Sequence, residues 1–114
     1  MKLLIIPLLA LVLVACSNGS KLKNESEPVF RILNNYMTDA QEISSKDQRL
    51  LDAYFSKTEI NYDSYDTEDQ RIVDALTDLY DIKYRYVLYE KASDKQSAMD
   101  EFVLASSDVE KLLK

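Results

Sequence analysis

Apolar residues fill the start of the chain without a break, disappear as a group, and then return at helical spacing. Leu3 to Ala15 is one apolar run of 13 residues, whereas residues 17–27 (SNGSKLKNESE) are mostly small or charged and lack an apolar face. From Pro28 the pattern turns periodic. Pro28 suits a first helical turn, with Ser26 or Glu27 as its cap. Val29, Leu33, Tyr36, Met37, Ala40 and Ile43 then recur three and four residues apart, the spacing of one helix face. Ser45 and Gln48 have capping-box spacing and open a short second helix carrying Leu50, Leu51, Tyr54 and Phe55. A polar connection, 60–66, leads to Thr67-Glu68-Asp69-Gln70, a second capping box, and to the longest helix, which ends near Ala92. Ser93 and Gln96 repeat the device before a last helix with Ala98, Met99, Phe102, Val103, Val109, Leu112 and Leu113 inward. No stretch alternates with period two, so the prediction is an all-α bundle of three or four helices over 28–114.

The long helix carries two apolar stripes. Ile72, Leu76, Tyr80, Tyr84, Val87 and Leu88 form one; Leu79, Ile82, Tyr86 and Tyr89 form the other. A central helix packed on two sides explains both, because a tyrosine ring can be buried while its hydroxyl reaches a partner. The alternative makes Tyr86 and Tyr89 an exposed strip for a binding partner. A small bundle has few other residues to fill its core, which favours the first.

The opening run changes the picture of what the mature chain is. Lys2 followed by an apolar core and a small residue is the layout of a secretory signal. As a helix the 13 apolar residues would extend about 20 Å, short of a ~30 Å hydrocarbon core, and Pro7 interrupts them. A signal to be removed is expected over 1–15. Its loss takes one cation away and moves the formal net charge from −6 to −7. That acidity argues against nucleic-acid binding and against unaided adhesion to anionic lipid, and it favours basic partners. A single cysteine excludes an internal disulfide.

That cysteine, Cys16, follows Leu13-Val14-Ala15, and the four residues resemble the lipobox of bacterial lipoprotein precursors. The resemblance covers the first 16 residues only. It implies that the Cys16 thiol receives a diacylglycerol through a thioether, that a signal peptidase cuts between Ala15 and Cys16, and that the new amino group takes a further acyl chain such as palmitate. Thiol chemistry suits the step, and two or three chains make attachment effectively permanent where one is marginal. An ordinary signal-peptidase cut that discards Cys16, or an uncut anchor, are the competing outcomes. Ser17 resembles the residue that sends such cargo to the outer membrane, facing the periplasm, in a Gram-negative host. Residues 17–27 would then be a flexible tether reaching roughly 35–40 Å when fully extended.

Residue types narrow the chemistry further. The chain has no histidine, and lipidation would consume its cysteine, which removes Ser-His-Asp and Cys-His catalysis and the usual zinc ligand sets. With Gly19 as the only glycine, a glycine-rich phosphate cradle is impossible. No cofactor is expected. Asn61 to Asp69 is rich in oxygen donors, but the sixth position of a calcium loop is Asp66 instead of glycine and the twelfth is Ile72. Helix-start stabilisation by Asp66, Glu68 and Asp69 explains the acids better, and leaves weak calcium binding as a minor alternative. Asp74, Asp78 and Asp81 line one face of the long helix, with Arg85 ending the row. A solvated face is the plain reading. The functional one is an acidic strip, continued by Tyr62, Asp63, Tyr65 and Asp66, that recognises a basic protein surface. A carboxylate pair for glycoside hydrolysis cannot be told from surface charge here, so no enzyme is expected. The expectation is a lipid-anchored, non-catalytic protein-binding module of inhibitor, immunity or exclusion type. An accessory or structural envelope subunit, acting through oligomerisation, is the alternative.

Overall fold

In the computed structural model the backbone is described from Lys2 and the side chains from Lys21 to Lys114; Ala15 and Cys16 lie outside the described side chains. Four helices follow one another: α1 (Lys2–Asp39), α2 (Ser45–Ile60), α3 (Thr67–Leu88) and α4 (Ala92–Leu113), with a 3₁₀ turn at Tyr62–Ser64. Among the described residues there is no strand, and the all-α bundle is the observed fold.

Cross-links between helices fix the directions. Lys23 lies 3.7 Å from Glu68 near the start of α3, and the Lys83 ammonium sits over the Tyr36 ring, so α1 and α3 run the same way. Ser26 meets Tyr54 and Glu25 meets Lys57, which sets α2 antiparallel to α1. The Lys23 ammonium also reaches the Lys114 carbonyl, so α4 descends to the level of Lys23 on α1. The result is an up-down-up-down bundle in which α3 packs most extensively on α4 and then on α1.

Caps explain where the helices start. The Ser44 hydroxyl accepts from the Asp47 N–H at 3.1 Å, and the Asp66 carboxylate accepts from the Asp69 N–H at 2.8 Å. Both caps lie one residue before the predicted Ser45 and Thr67. The short hydroxyl or carboxylate one step earlier is the one whose backbone is extended, as a cap requires. Helix α4 has Lys91 in the cap position with no side-chain bond, and Ser93 lies inside the helix. At the end of α1, Ala40 adopts φ 53°, and the Gln41 N–H bonds the Asn35 carbonyl at 3.2 Å. A left-handed residue reverses the chain there, so Ala40 is exposed and no longer continues the face of Val29, Leu33 and Met37.

Residues 21–27 depart from the expected tether. They are helical, Leu22 is buried in the core, and Ser26 is fully buried. Pro28 accordingly sits inside α1 and does not open it. Its ring nitrogen donates nothing to the turn before it. The buried face of α1 is Leu22, Ser26, Val29, Leu33 and Met37, spaced four, three, four and four. Ser26 reads as polar in the sequence, but its hydroxyl finds Tyr54 at 2.7 Å and so fits inside.

The core joins this face to Leu51 and Tyr54 of α2, to Ile72, Val73, Leu76, Leu79 and Ile82 of α3, and to Ala98, Phe102 and Val109 of α4. On α3 the buried band follows the first predicted stripe at Ile72 and Leu76 and crosses to the second at Leu79 and Ile82. Tyr80, Tyr86 and Tyr89 are half-buried against the core, whereas Tyr84, Val87 and Leu88 are exposed. Tyr86 and Tyr89 are therefore packing residues, and the exposed apolar side chains at this end belong to the other stripe. Tyr80 stacks on Phe55 at 4.7 Å and accepts from the Gln48 amide, tying α2 to α3.

Candidate functional site

The loop between α2 and α3 is built from its own polar groups. Asn61 ends α2, with its backbone N–H and its side-chain amide both donating to the Lys57 carbonyl. Ser64 donates twice to the Asn61 carbonyl, through backbone N–H at 2.9 Å and hydroxyl at 2.6 Å. The Tyr62 carbonyl accepts from the Tyr65 N–H and from the Gln70 amide. These bonds hold a tight turn without glycine, and they aim the Tyr62 ring along α3.

At its end the Tyr62 hydroxyl donates to Asp74 Oδ2 at 3.0 Å. The bond to a carboxylate holds the phenol protonated and moves its pKa upward, with burial and the Asp74 and Asp63 charges adding to it. Asp74, Asp78 and Asp81 follow up the same side of α3, all exposed. Partial burial, then the charges of Asp74, Asp81 and Glu101, push the Asp78 carboxyl up. Arg85 closes the row. Its guanidinium grips Glu101 of α4 with two bonds of 3.0 and 3.2 Å and Asp81 with one of 3.1 Å. Glu101, Tyr89 and Asp81 together hold it firmly charged.

The structure thus brings Tyr62, Asp74, Asp78 and Asp81 into one ridge and leaves Asp63 exposed at its foot. Tyr65 and Asp66 make no bond to this row, although Asp66 is exposed. Tyr65 is half-buried against the core, and burial raises its pKa. One oxygen of Asp66 is committed to capping α3. Glu101 is the ridge member that sequence reasoning missed. Its place depends on the register of α4 against α3, which the spacing within α4 does not contain.

Among the described residues no cluster of three or more acidic, histidine or cysteine side chains could hold a metal ion, and no helix is long and apolar enough to cross a membrane. A groove of about 200 Å³ between α1 and the segment that opens α2 is lined by Pro28, Ile32, Ile43 and Leu50, with Arg31 and Asp47 at its edges. Comparison with protein-family models, curated proteins and solved structures finds no match to this chain.

Proposed function

We propose that this protein is a lipid-anchored, non-catalytic module of a bacterial envelope that binds another protein through the ridge of Tyr62, Asp74, Asp78, Asp81 and Glu101. The observation that carries the reading is the Tyr62–Asp74 bond, which joins the acidic-aromatic loop to the acidic row of α3 and makes one continuous surface. Acids arranged around a tyrosine suit a basic protein surface, where charge complementarity sets encounter rate and register and the aromatic ring supplies contact area. The lipobox resemblance of Leu13-Val14-Ala15-Cys16 supplies the anchor. An inhibitor, immunity or exclusion role fits a small body that acts by contact alone.

Two measurements test this. Intact mass of the membrane-bound protein should give a chain that begins at Cys16 and carries diacylglycerol; an unmodified chain that begins elsewhere refutes the anchor. Affinity capture from membranes should recover a basic partner with the wild type and lose it with Asp74→Ala/Asp78→Ala/Asp81→Ala. Recovery of the same partner by both proteins would refute the ridge.

The exposed Tyr84, Val87 and Leu88 favour a second reading, an accessory subunit that docks the upper end of α3 onto an envelope assembly. Capture that survives the ridge variant but is lost with Tyr84→Ser/Leu88→Ser would select it.

A further inference from the structure

The burial of Leu22 changes how far from a bilayer this protein can stand. If Cys16 carries lipid, six Cα steps separate it from Leu22, the first buried residue among the described side chains, no more than about 22 Å even fully extended. The expected tether of residues 17–27 would have allowed nearly twice that. The end of the bundle nearest the anchor is fixed by contacts near the start of the described side chains: Lys23 with Glu68 and the Lys114 carbonyl, and Glu25 with Lys57. Ile60, the last residue of α2, lies at this same end and is 79 % exposed, the highest value among the exposed large apolar side chains. Lys21, Lys23, Lys57, Lys111 and Lys114 offset only about half of the carboxylates carried by the same segments, so charge does not draw this end to anionic headgroups.

We infer that the lipidated protein seats this end of its bundle on the bilayer that holds its own anchor, with Ile60 making the apolar contact. The inference rests on the lipid-anchor reading of Cys16. The occupant of the surface is the lipid headgroup layer, brought there by the short connection and not by charge. Asp63 and the 3₁₀ turn then lie at the membrane surface, and the ridge rises from them. Leu88, 21 residues above Thr67 on α3, stands about 30 Å higher.

Lipidation leaves no free thiol, so one introduced cysteine can be labelled alone. Ile60→Cys and Leu88→Cys proteins, purified in lipidated form, carry an environment-sensitive fluorophore and are placed in phosphatidylethanolamine/phosphatidylglycerol vesicles containing a headgroup-proximal spin-labelled lipid. The expected result is at least a twofold quenching of the fluorophore at position 60 and little at position 88. Equal quenching at both positions, or none at position 60, in protein whose mass confirms diacylglycerol on Cys16, overturns the seating and leaves the anchor intact. A mass without diacylglycerol overturns both.

Discussion

The hydroxyl groups of Ser26 and Tyr54 meet at 2.7 Å inside the bundle, with Ser26 fully buried and Tyr54 nearly so. This one bond joins α1 to α2 and explains why a segment that looks like a linker belongs to the core. Each hydroxyl would be an unpaired polar group in the interior without the other.

Ser26→Ala should therefore destabilise the protein by about 1–3 kcal/mol, because it strands the Tyr54 hydroxyl. Tyr54→Phe should cost a similar amount, and the double variant should cost clearly less than the two together. Urea unfolding of the four proteins gives the coupling. A Ser26→Ala effect within about 0.5 kcal/mol of zero, as at an ordinary surface position, would place residue 26 outside the core.

Alkaline pH tests the same pair from the other side. Burial pushes the Tyr54 phenol up to about 12, outweighing the opposing Ser26 bond, while Tyr65, Glu25 and Asp69 add smaller upward pushes. A folded-state pKa above the unfolded value of 10.0 means that the contribution is whole below pH 10 and is lost as pH rises toward 12. Between those values the wild type should lose about 2–3 kcal/mol more than Tyr54→Phe, two pKa units' worth. Parallel stability curves for the two proteins from pH 9 to 12 would contradict this.

Asp69 is buried in the first turn of α3, and burial raises its carboxyl pKa, with Asp66 and Glu68 adding repulsion and Lys23 opposing it. A raised folded pKa means that the favourable contribution is present below the ordinary carboxylate pKa and is lost as pH climbs through the folded value. The ionised group is then a liability at pH 7. Asp69→Asn should raise Tm at pH 7, and the gain should vanish near pH 3, where both states of the wild type are largely protonated. The same gain at both pH values would mean that charge is not the cause.

Ala40 holds φ 53° at the end of α1, a conformation that costs a residue with a Cβ about 1–2 kcal/mol. Ala40→Gly removes that cost but adds freedom to the unfolded chain, so the net gain should be about 1 kcal/mol or less. Thermal unfolding should show Tm higher by several degrees. A lower Tm would show that the left-handed turn carries no strain.

The sequence made the helices legible because their periodicity reflects burial directly. Leu33, Leu51, Leu76 and Phe102 are each placed inward by spacing and are each fully buried. What escaped depended on partners distant in sequence. Ser26 is core because Tyr54 is opposite it, and Glu101 joins the ridge because Arg85 reaches across from α3. Both apolar stripes of α3 were visible, but the crossover between them was not. It depends on how α1 and α4 both pack along α3, which the spacing within α3 does not contain. The ridge was half legible, since the row of Asp74, Asp78 and Asp81 follows from helical spacing and the Tyr62 bond does not.

Helix α2 contributes only Leu51, Tyr54 and Thr58 to the interior, and beyond α1 it holds on through Tyr80, by the Phe55 stack and the Gln48 bond. Local opening draws on the contacts that a segment must give up, and α2 has the fewest to lose. Its amides should exchange with solvent sooner than those of α1, α3 and α4, as one cooperative unit. Ser26→Ala should bring that opening forward without touching the α3–α4 pair. The bundle is thus a firm three-helix block with one helix latched to its side, and the latch is a pair of hydroxyls.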